Sequence, residues 1–453
     1  MGRKGSWARG LVSSFIVLVL SLITHHASLI TEVWADEPSN ASLESEIEVL
    51  KDRLAKLERQ LTASELRGTS GIGEKAGVPG LLELPSGLQG LAMSGYVDTA
   101  YNFNFNRPDT GSTTSGRNVT SNNGRVFDRV ANNFTIHAAE LVFEKPSSDT
   151  SPIGFRTDLF FGDDAEQIHS AGLGETTSGT NVAEIFDLQQ AYVTYKAPIG
   201  DGLDLKMGKF VTLLGAEVIE SPANWNYSRS YMFGFSIPFT HTGFLASYPV
   251  GEWGSTTWGL VNGWDIADEN NSFKTILGNV TLTPFEGVTL SSNLITGAEV
   301  ASNNRDDRTV LSNIITWQPL DKLTLMANYD YGHQSNLAHG VTTGAKGPDA
   351  ANWSGLALYA KYDLTDIWSL AGRWETFNDA DNVRTGFTGL GGSTLDDLRF
   401  NEFTLTSQWQ LYTHVLARLE YRHDAANEAV FFSNNASLTN SQDTIAAEVI
   451  YHF

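Results

Sequence analysis

From residue 93 onward the chain alternates apolar and polar side chains with a period of two, the signature of extended strands with two unlike faces. In MSGYVDTAYNFNF, Met93, Gly95, Val97, Thr99, Tyr101, Phe103 and Phe105 share one face, and Ser94, Tyr96, Asp98, Ala100, Asn102 and Asn104 share the other. Ile153, Phe155, Thr157, Leu159 and Phe161 oppose Gly154, Arg156, Asp158 and Phe160 in the same way. Phe403, Leu405, Trp409 and Leu411 oppose Glu402, Thr404, Gln408 and Gln410, and Val415, Ala417, Leu419 and Tyr421 oppose Leu416, Arg418, Glu420 and Arg422. Sixteen such segments are predicted, starting near residues 93, 133, 153, 184, 203, 241, 256, 273, 287, 308, 322, 353, 366, 399, 414 and 442. Their spacers alternate in length. Pro284–Gly287, Pro319–Asp321 and Leu364–Asp366 are short, whereas Arg107–Val130, Asp163–Ala183, Leu213–Thr240, Gln334–Asn352, Asn378–Asp397 and Ala425–Ser441 are long and polar.

This pattern predicts an all-β fold: a transmembrane antiparallel β-barrel of about 16 strands, with a short N-terminal α-helical coiled coil before it. Lipid satisfies no backbone N–H or C=O, so a sheet that crosses a bilayer must close on itself, with apolar side chains outward. A soluble sandwich would need its polar inner faces to be apolar. Two places resist the alternation. Lys209 falls with the apolar set of its strand, as do Asp187 and Gln189 of the strand before, which points to a bulge or a register slip. The chain ends TIAAEVIYHF, again alternating, so the last strand is expected to pair with the first. Tyr101, Phe103, Tyr451 and Phe453 are then expected in the aromatic girdle of the outer face.

The residues before the barrel have other periods. Arg3, Lys4 and Arg9 precede an apolar run from Leu11 to Ile23, and Val33-Trp34-Ala35 reads as a cleavage site, so residues 1–35 are an expected export signal. Leu43, Ile47, Leu50, Leu54, Leu57 and Leu61 follow a 4-3-4-3-4 spacing within residues 36–67, the seam of a coiled coil. Residues 68–92 are rich in glycine and read as a linker, and 93–453 are the barrel.

Composition narrows the function. The 453 residues carry a net charge of −22, and removing the signal takes away three basic residues and one acidic one, for −24. Nucleic acid is therefore not an expected partner. The chain has no cysteine, so neither disulfides nor thiol chemistry enter. The ten histidines show no ligand spacing beyond His25-His26, and no metal or other cofactor is expected. His137, assigned to the outer face, has no serine partner for a lipase-like site, and no enzyme activity is expected.

The stretches GYVDTAYNFNFNRP, FTIHAAELVFEKP, GFRTDLFFGDDA, LQQAYVTYKAP, MGKFVTLLGAEVIESPANWNYSRSYMFGFSIPFTHTGF and the closing YHF carry a resemblance to the OmpL-like outer-membrane β-barrel porins. The likeness covers residues 94–247 and the last strand. It implies a channel in the bacterial outer membrane, set in lipid and lipopolysaccharide and inserted by an assembly machinery that reads the C-terminal strand. It also implies a homo-oligomer, a trimer being usual. It implies no defined substrate and no catalytic residue. The coiled coil would lie in the periplasm.

The segment Leu213–Thr240 is expected to fold into the lumen as a constriction loop, because its aromatic density suits packing more than a solvated tip. It carries Glu217, Glu220, Trp225, Tyr227 and Arg229. The expected pore lining is Asp98, Glu140, Arg156, Asp158, Arg373, Glu375, Arg418, Glu420, Arg422 and Glu448. Two readings stand for the arginines. Either they face Glu217 and Glu220 across the opening as a transverse field, or each pairs with a neighbour such as Asp158, Glu375 or Glu420 and stiffens the wall. Inward acids outnumber bases, which favours a weak cation preference. Passive diffusion of small hydrophilic solutes is the leading function, with a substrate-specific uptake channel or a non-conducting structural barrel as alternatives.

Overall fold

A computed structural model of the chain describes residues 90–108, 113–114, 117–118, 121–173, 185–335, 350–387, 395–434 and 437–453. The export signal, the coiled coil and nearly all of the linker lie outside the described residues.

Sixteen strands form the wall: β1 Ala92–Asn104, β2 Asn133–Lys145, β3 Ile153–Phe161, β4 Phe186–Ala197, β5 Leu203–Val211, β6 Thr240–Pro249, β7 Gly254–Val261 and β8 Thr275–Phe285, then β9 Val288–Ala298, β10 Asp307–Leu320, β11 Leu323–Ser335, β12 Ala350–Thr365, β13 Trp368–Asp379, β14 Leu398–Tyr412, β15 Val415–Ala426 and β16 Ser441–His452. Every strand pairs antiparallel with its sequence neighbours, and β16 returns to β1 to make a closed barrel. Tyr96 stands opposite His452 and Asn104 opposite Thr444 at the two ends of the closing seam. The terminal residue belongs to this ladder. Phe453 exchanges both backbone hydrogen bonds with Gly95, at 3.0 and 3.1 Å. A Cβ at Gly95 would lie 2.1 Å from the Glu140 carbonyl oxygen, so that position admits only glycine.

Alternation along each strand sorts the side chains as oil demands. Outward residues such as Phe134, Met207, Trp258 and Tyr451 are exposed, while inward residues such as Ala138, Phe210, Leu245 and Ile450 are buried. No helix among the described residues is long and apolar enough to cross a membrane. Connections of two to seven residues link the strands at one end, and longer loops lie at the other. We name the loop of residues 212–239 L3 and number the other long loops in chain order. Loop L2, between β3 and β4, contains a short helix, α1, Ala165–Ile168.

The two places that resist simple alternation are irregular here. The register between β3 and β4 slips at Asp158/Leu159, so Asp158 faces Gln190 but Leu159 faces Leu188. Gln189 is the extra residue of this bulge, and it turns inward together with Gln190 and Asp187. Beyond it, Gly208 adopts φ +139°, and Lys209 then reaches the inner carboxylate of Asp187 at 2.8 Å. A second slip, at Asp98/Thr99 between β1 and β2, corrects the placement of His137. It lies on the inner side, not the lipid side, bonded to Asp164 at 3.0 Å and to the Tyr227 hydroxyl at 2.9 Å.

Candidate functional site

The interior is organised by L3, which leaves β5, crosses the lumen and is bonded to strands far around the wall. Its fold is set locally. Arg229 donates to the carbonyls of Val218, Tyr227 and Ile219, at 3.0, 2.8 and 2.6 Å, and so closes the loop on itself. Asn224 does the same for Val218 and Glu220. Gly215, at φ +86°, makes the turn into the lumen. A short helical turn over Met232–Ser236 then carries Tyr231, Met232 and Phe233 into the buried core.

On one side the wall grips the backbone of L3 with charged groups. Glu375 on β13 accepts the N–H groups of Tyr231 and Met232 at 2.7 and 2.6 Å. Glu420 on β15 accepts those of Tyr227 and Ser228 at 2.7 and 3.0 Å. Arginines take the carbonyls: Arg373 that of Ser228 at 2.7 Å, Arg418 those of Ser221 and Asn224 at 3.1 and 2.5 Å, and Arg422 that of Arg229 at 2.5 Å. Charge-assisted hydrogen bonds of this kind are about twice as strong as neutral ones. Each arginine also has carboxylate partners. Arg373 meets Glu217 of L3 at 2.5 Å and Glu402 at 2.6 Å. Arg418 meets Glu448 at 3.0 Å, and Arg422 meets Asp424 at 2.8 Å and Glu402 at 3.1 Å. All three guanidiniums are at most 2% exposed. The Arg373–Glu217 pair is therefore a direct contact, with no gap for a field to cross.

Other expected lining residues gather elsewhere. Arg156, half-buried, holds Asp158 at 2.9 Å and Glu144 at 3.5 Å. Asp98 is buried, and one of its carboxylate oxygens is without a hydrogen-bond partner. Glu140, Asp158 and Glu220 each bring one oxygen within 4.8 Å of the other two. Trp225 is partly buried, and its ring stands edge-on to Tyr359 at 6.3 Å. Tyr101, Phe103, Tyr451 and Phe453 lie on the outer face. Sequence reasoning named neither Glu402 and Asp424 nor the L1 pair Arg125 and Asp128 as site residues. Arg125 meets Asp128 and Asp424 at 2.5 Å each, tying L1 to β15. The inward register of Glu402 was a usable signal, but nothing in L1 marks Arg125.

On the opposite side, β6 to β10, the wall is uncharged over most of its height. Leu245, Val261, Leu277, Ile295 and Val310 are buried inward and share one apolar cluster with Leu214, Ile219 and Ile237 of L3. Toward the short turns, Ser247, Ser255, Thr257, Asn279, Thr281 and Ser291 remain partly exposed. They bond to one another, as in Asn279 to Ser291 at 2.9 Å and Ser247 to Thr257 at 2.8 Å. Among the described residues no hydrogen bond joins L3 to β7, β8 or β9.

Trp264 of loop L4 gathers two arginines from β10 and the β13–β14 loop into a basic spot at the long-loop end. The guanidiniums of Arg308 and Arg384 stand 4.9 and 4.6 Å from the Trp264 ring centroid. Burial, and then repulsion from Arg308, lowers the Arg384 pKa to about 9. Burial pushes Asp265 up to about 6, although it accepts the N–H groups of Phe239 and Thr240 at 2.7 and 2.9 Å.

Comparison with known proteins agrees with this architecture. The sequence profile of a family described as putative beta-barrel porin-2, OmpL-like, matches residues 90–453. Among solved structures, the fold resembles the anion-selective porin from Comamonas acidovorans, with TM-score 0.52 at 11% identity, covering 80% of this chain and 99% of that one. It also resembles the outer membrane channel DcaP of Acinetobacter baumannii, with TM-score 0.50 at 10% identity, covering 80% and 97%. At such identity the likeness is one of fold. No curated protein matches the chain.

Proposed function

Because the chain belongs to the OmpL-like family of outer-membrane β-barrel porins, we propose that it is a passive diffusion channel for small hydrophilic solutes or ions. Its path runs between L3 and the β6–β9 wall. The supporting observation is the asymmetry of the lumen. Charged hydrogen bonds hold L3 to β13–β15, whereas among the described residues apolar packing without hydrogen bonds joins it to β7–β9. Apolar contact is non-directional and separates without leaving a charge unpaired. Ser, Thr and Asn along that wall offer water-like hydrogen bonds to a passing solute. The pore-lining role then passes to Asn279, Thr281 and Ser291. Arg373, Arg418 and Arg422 act as the clamp that sets the position of Glu217, Tyr227 and Arg229. Glu144 and Asp204 at the short-turn mouth, with the overall negative charge, support a weak cation preference.

The chain lacks cysteine, which makes the test direct. Single variants Asn279→Cys and Ser291→Cys, reconstituted in planar bilayers, are expected to lose conductance when a charged thiol reagent is added. A Ser→Cys variant at Ser369, on the clamped wall, is expected not to. Block at position 369 alone would sink the assigned path.

A second reading, a structural barrel that does not conduct, is favoured by the near-complete burial of the clamp residues across the lumen. Zero unitary conductance from refolded, correctly closed barrels would select it. The N-terminal segment is part of this proposal as a periplasmic coiled coil, the whole assembling as a trimer in lipopolysaccharide-bearing membrane. Crosslinking with and without residues 36–90 tests the contribution of that segment.

A further inference from the structure

The stretch of L3 around Glu220 approaches β2 and β3 where they concentrate negative charge. Glu140 on β2, Asp158 on β3 and Glu220 each place a carboxylate oxygen within 4.8 Å of the other two. Like charges at this spacing repel strongly where solvent is thin. Compensation nearby is sparse, because Arg156 is committed to Asp158, donating to its two oxygens at 2.9 and 3.0 Å. Glu140 is 3% exposed, and its Oε1 is sealed from solvent with no hydrogen-bond partner. Gln189 is wholly buried and donates its amide to Glu220 at 2.6 Å, yet its own Oε1 is also unpartnered. The β4 bulge delivers this arrangement. By turning two consecutive glutamines inward it sets Gln189 on Glu220 and Gln190 on Asp158, the latter at 2.5 Å. The buried Glu140 carboxylate oxygen thus has no hydrogen-bond donor or cation partner. Native interiors seldom leave such atoms unsatisfied.

We propose that Glu140, Asp158 and Glu220, the last held in place by the Gln189 amide, form a binding site for a divalent cation of the calcium class, which staples L3 to β2 and β3. Three oxygens no more than 4.8 Å apart share a point about 2.8 Å or less from each. Calcium–oxygen bonds run about 2.3–2.6 Å, so small carboxylate rotations complete the fit. Oxygen-only donors select a hard cation over zinc or copper, and a flexible loop ligand suits calcium better than the strict octahedron of magnesium. Glu220 carries the mechanical consequence. The clamp on β13–β15 holds L3 on either side of Glu220, at Glu217 and Ser221, and the cation fastens Glu220 itself to β2 and β3. Without the cation, the remaining like charges push Glu220 from the wall.

The site is assigned from its own geometry and does not require that the barrel conduct. The test uses the barrel refolded in detergent without lipopolysaccharide and stripped with a chelator. Terbium luminescence is excited through Tyr96, which stands opposite Glu140 in the ladder. The expected result is a saturable signal that calcium displaces, together with a calcium-dependent rise in the temperature of heat modification. The double variant Glu140→Gln/Glu220→Gln relieves the repulsion and so should fold at least as well. It is expected to weaken terbium binding about tenfold or more and to abolish the calcium-dependent rise. Gln189→Leu is expected to weaken binding by less. The proposal is overturned if the wild-type chain gives no saturable signal at millimolar cation. Equal affinity in the double variant also overturns it, since the ion then binds elsewhere. So does a stability gain on acidification with no response to calcium, which would assign the three carboxylates a shared proton instead.

Discussion

The two sides of the lumen solve one problem, holding a loop inside a barrel, by different physics. From β13 to β15 the wall offers Glu375, Glu420, Arg373, Arg418 and Arg422, and L3 answers with bare backbone N–H and C=O groups. Such bonds have fixed lengths and directions, so this edge of L3 has one seat. From β6 to β10 the wall offers Leu245, Val261, Leu277, Ile295 and Val310 to apolar residues of the loop. That contact tolerates sliding. The edge of L3 that packs on β7–β9 without hydrogen bonds is the free edge, and the proposed path lies there.

The largest effect is expected where the fastening is cut. Arg373→Met leaves Glu217 buried without its cation and Glu402 with Arg422 alone, at a cost of about 3–5 kcal/mol. It should lower the temperature of heat modification in detergent and raise open-channel noise. If Glu217→Gln in the Arg373→Met background adds no further loss, the two residues act as one fastening. A smaller but more specific effect belongs to the free edge. Asn279→Arg should cut conductance several-fold and move the reversal potential toward anions, without a stability loss. Little change there, with a large change at Arg418, would invert the comparison.

Arg418→Gln tests the transverse-field reading directly. Its partners are Glu448, the Gln408 side chain and two L3 carbonyls, so stability should fall while the reversal potential stays put. The smallest effect concerns pH at the rim. The Asp265 carboxyl is raised to about 6 by burial, above its unfolded value near 4. The folded chain then binds more protons than the unfolded one between these values. Stability from this group is thus fully present below about pH 4 and is lost as pH rises through about 6. Asp265→Asn, followed by thermal melts from pH 4 to 7, should flatten that slope.

Much of the wall was legible in the chain. No strand begins more than three residues from its expected start, because alternation is local and the lipid face enforces it at each step. The site was legible in part. L3 was marked by its aromatic density, and Tyr231 and Phe233 do pack inside. His137 was placed on the wrong face because a bulge shifts one residue and reverses the orientation of its neighbours. Arg373 was given Glu375 as its neighbour, yet it takes Glu402 from the next strand and Glu217 from L3. Glu375 is diverted to the L3 backbone. Asp424 and Arg125 escaped notice because their pairing spans 299 positions of chain.

Period-two patterning thus settles the lipid-facing set away from the bulges, how many strands there are, and that the last must find the first, since each of these follows from neighbours along one strand. Choice of ionic partner, the bulges and the seat of L3 were settled by folding. A buried charge takes whichever opposite charge or backbone group the closed barrel brings within about 3 Å, and that distance is a property of the assembled wall.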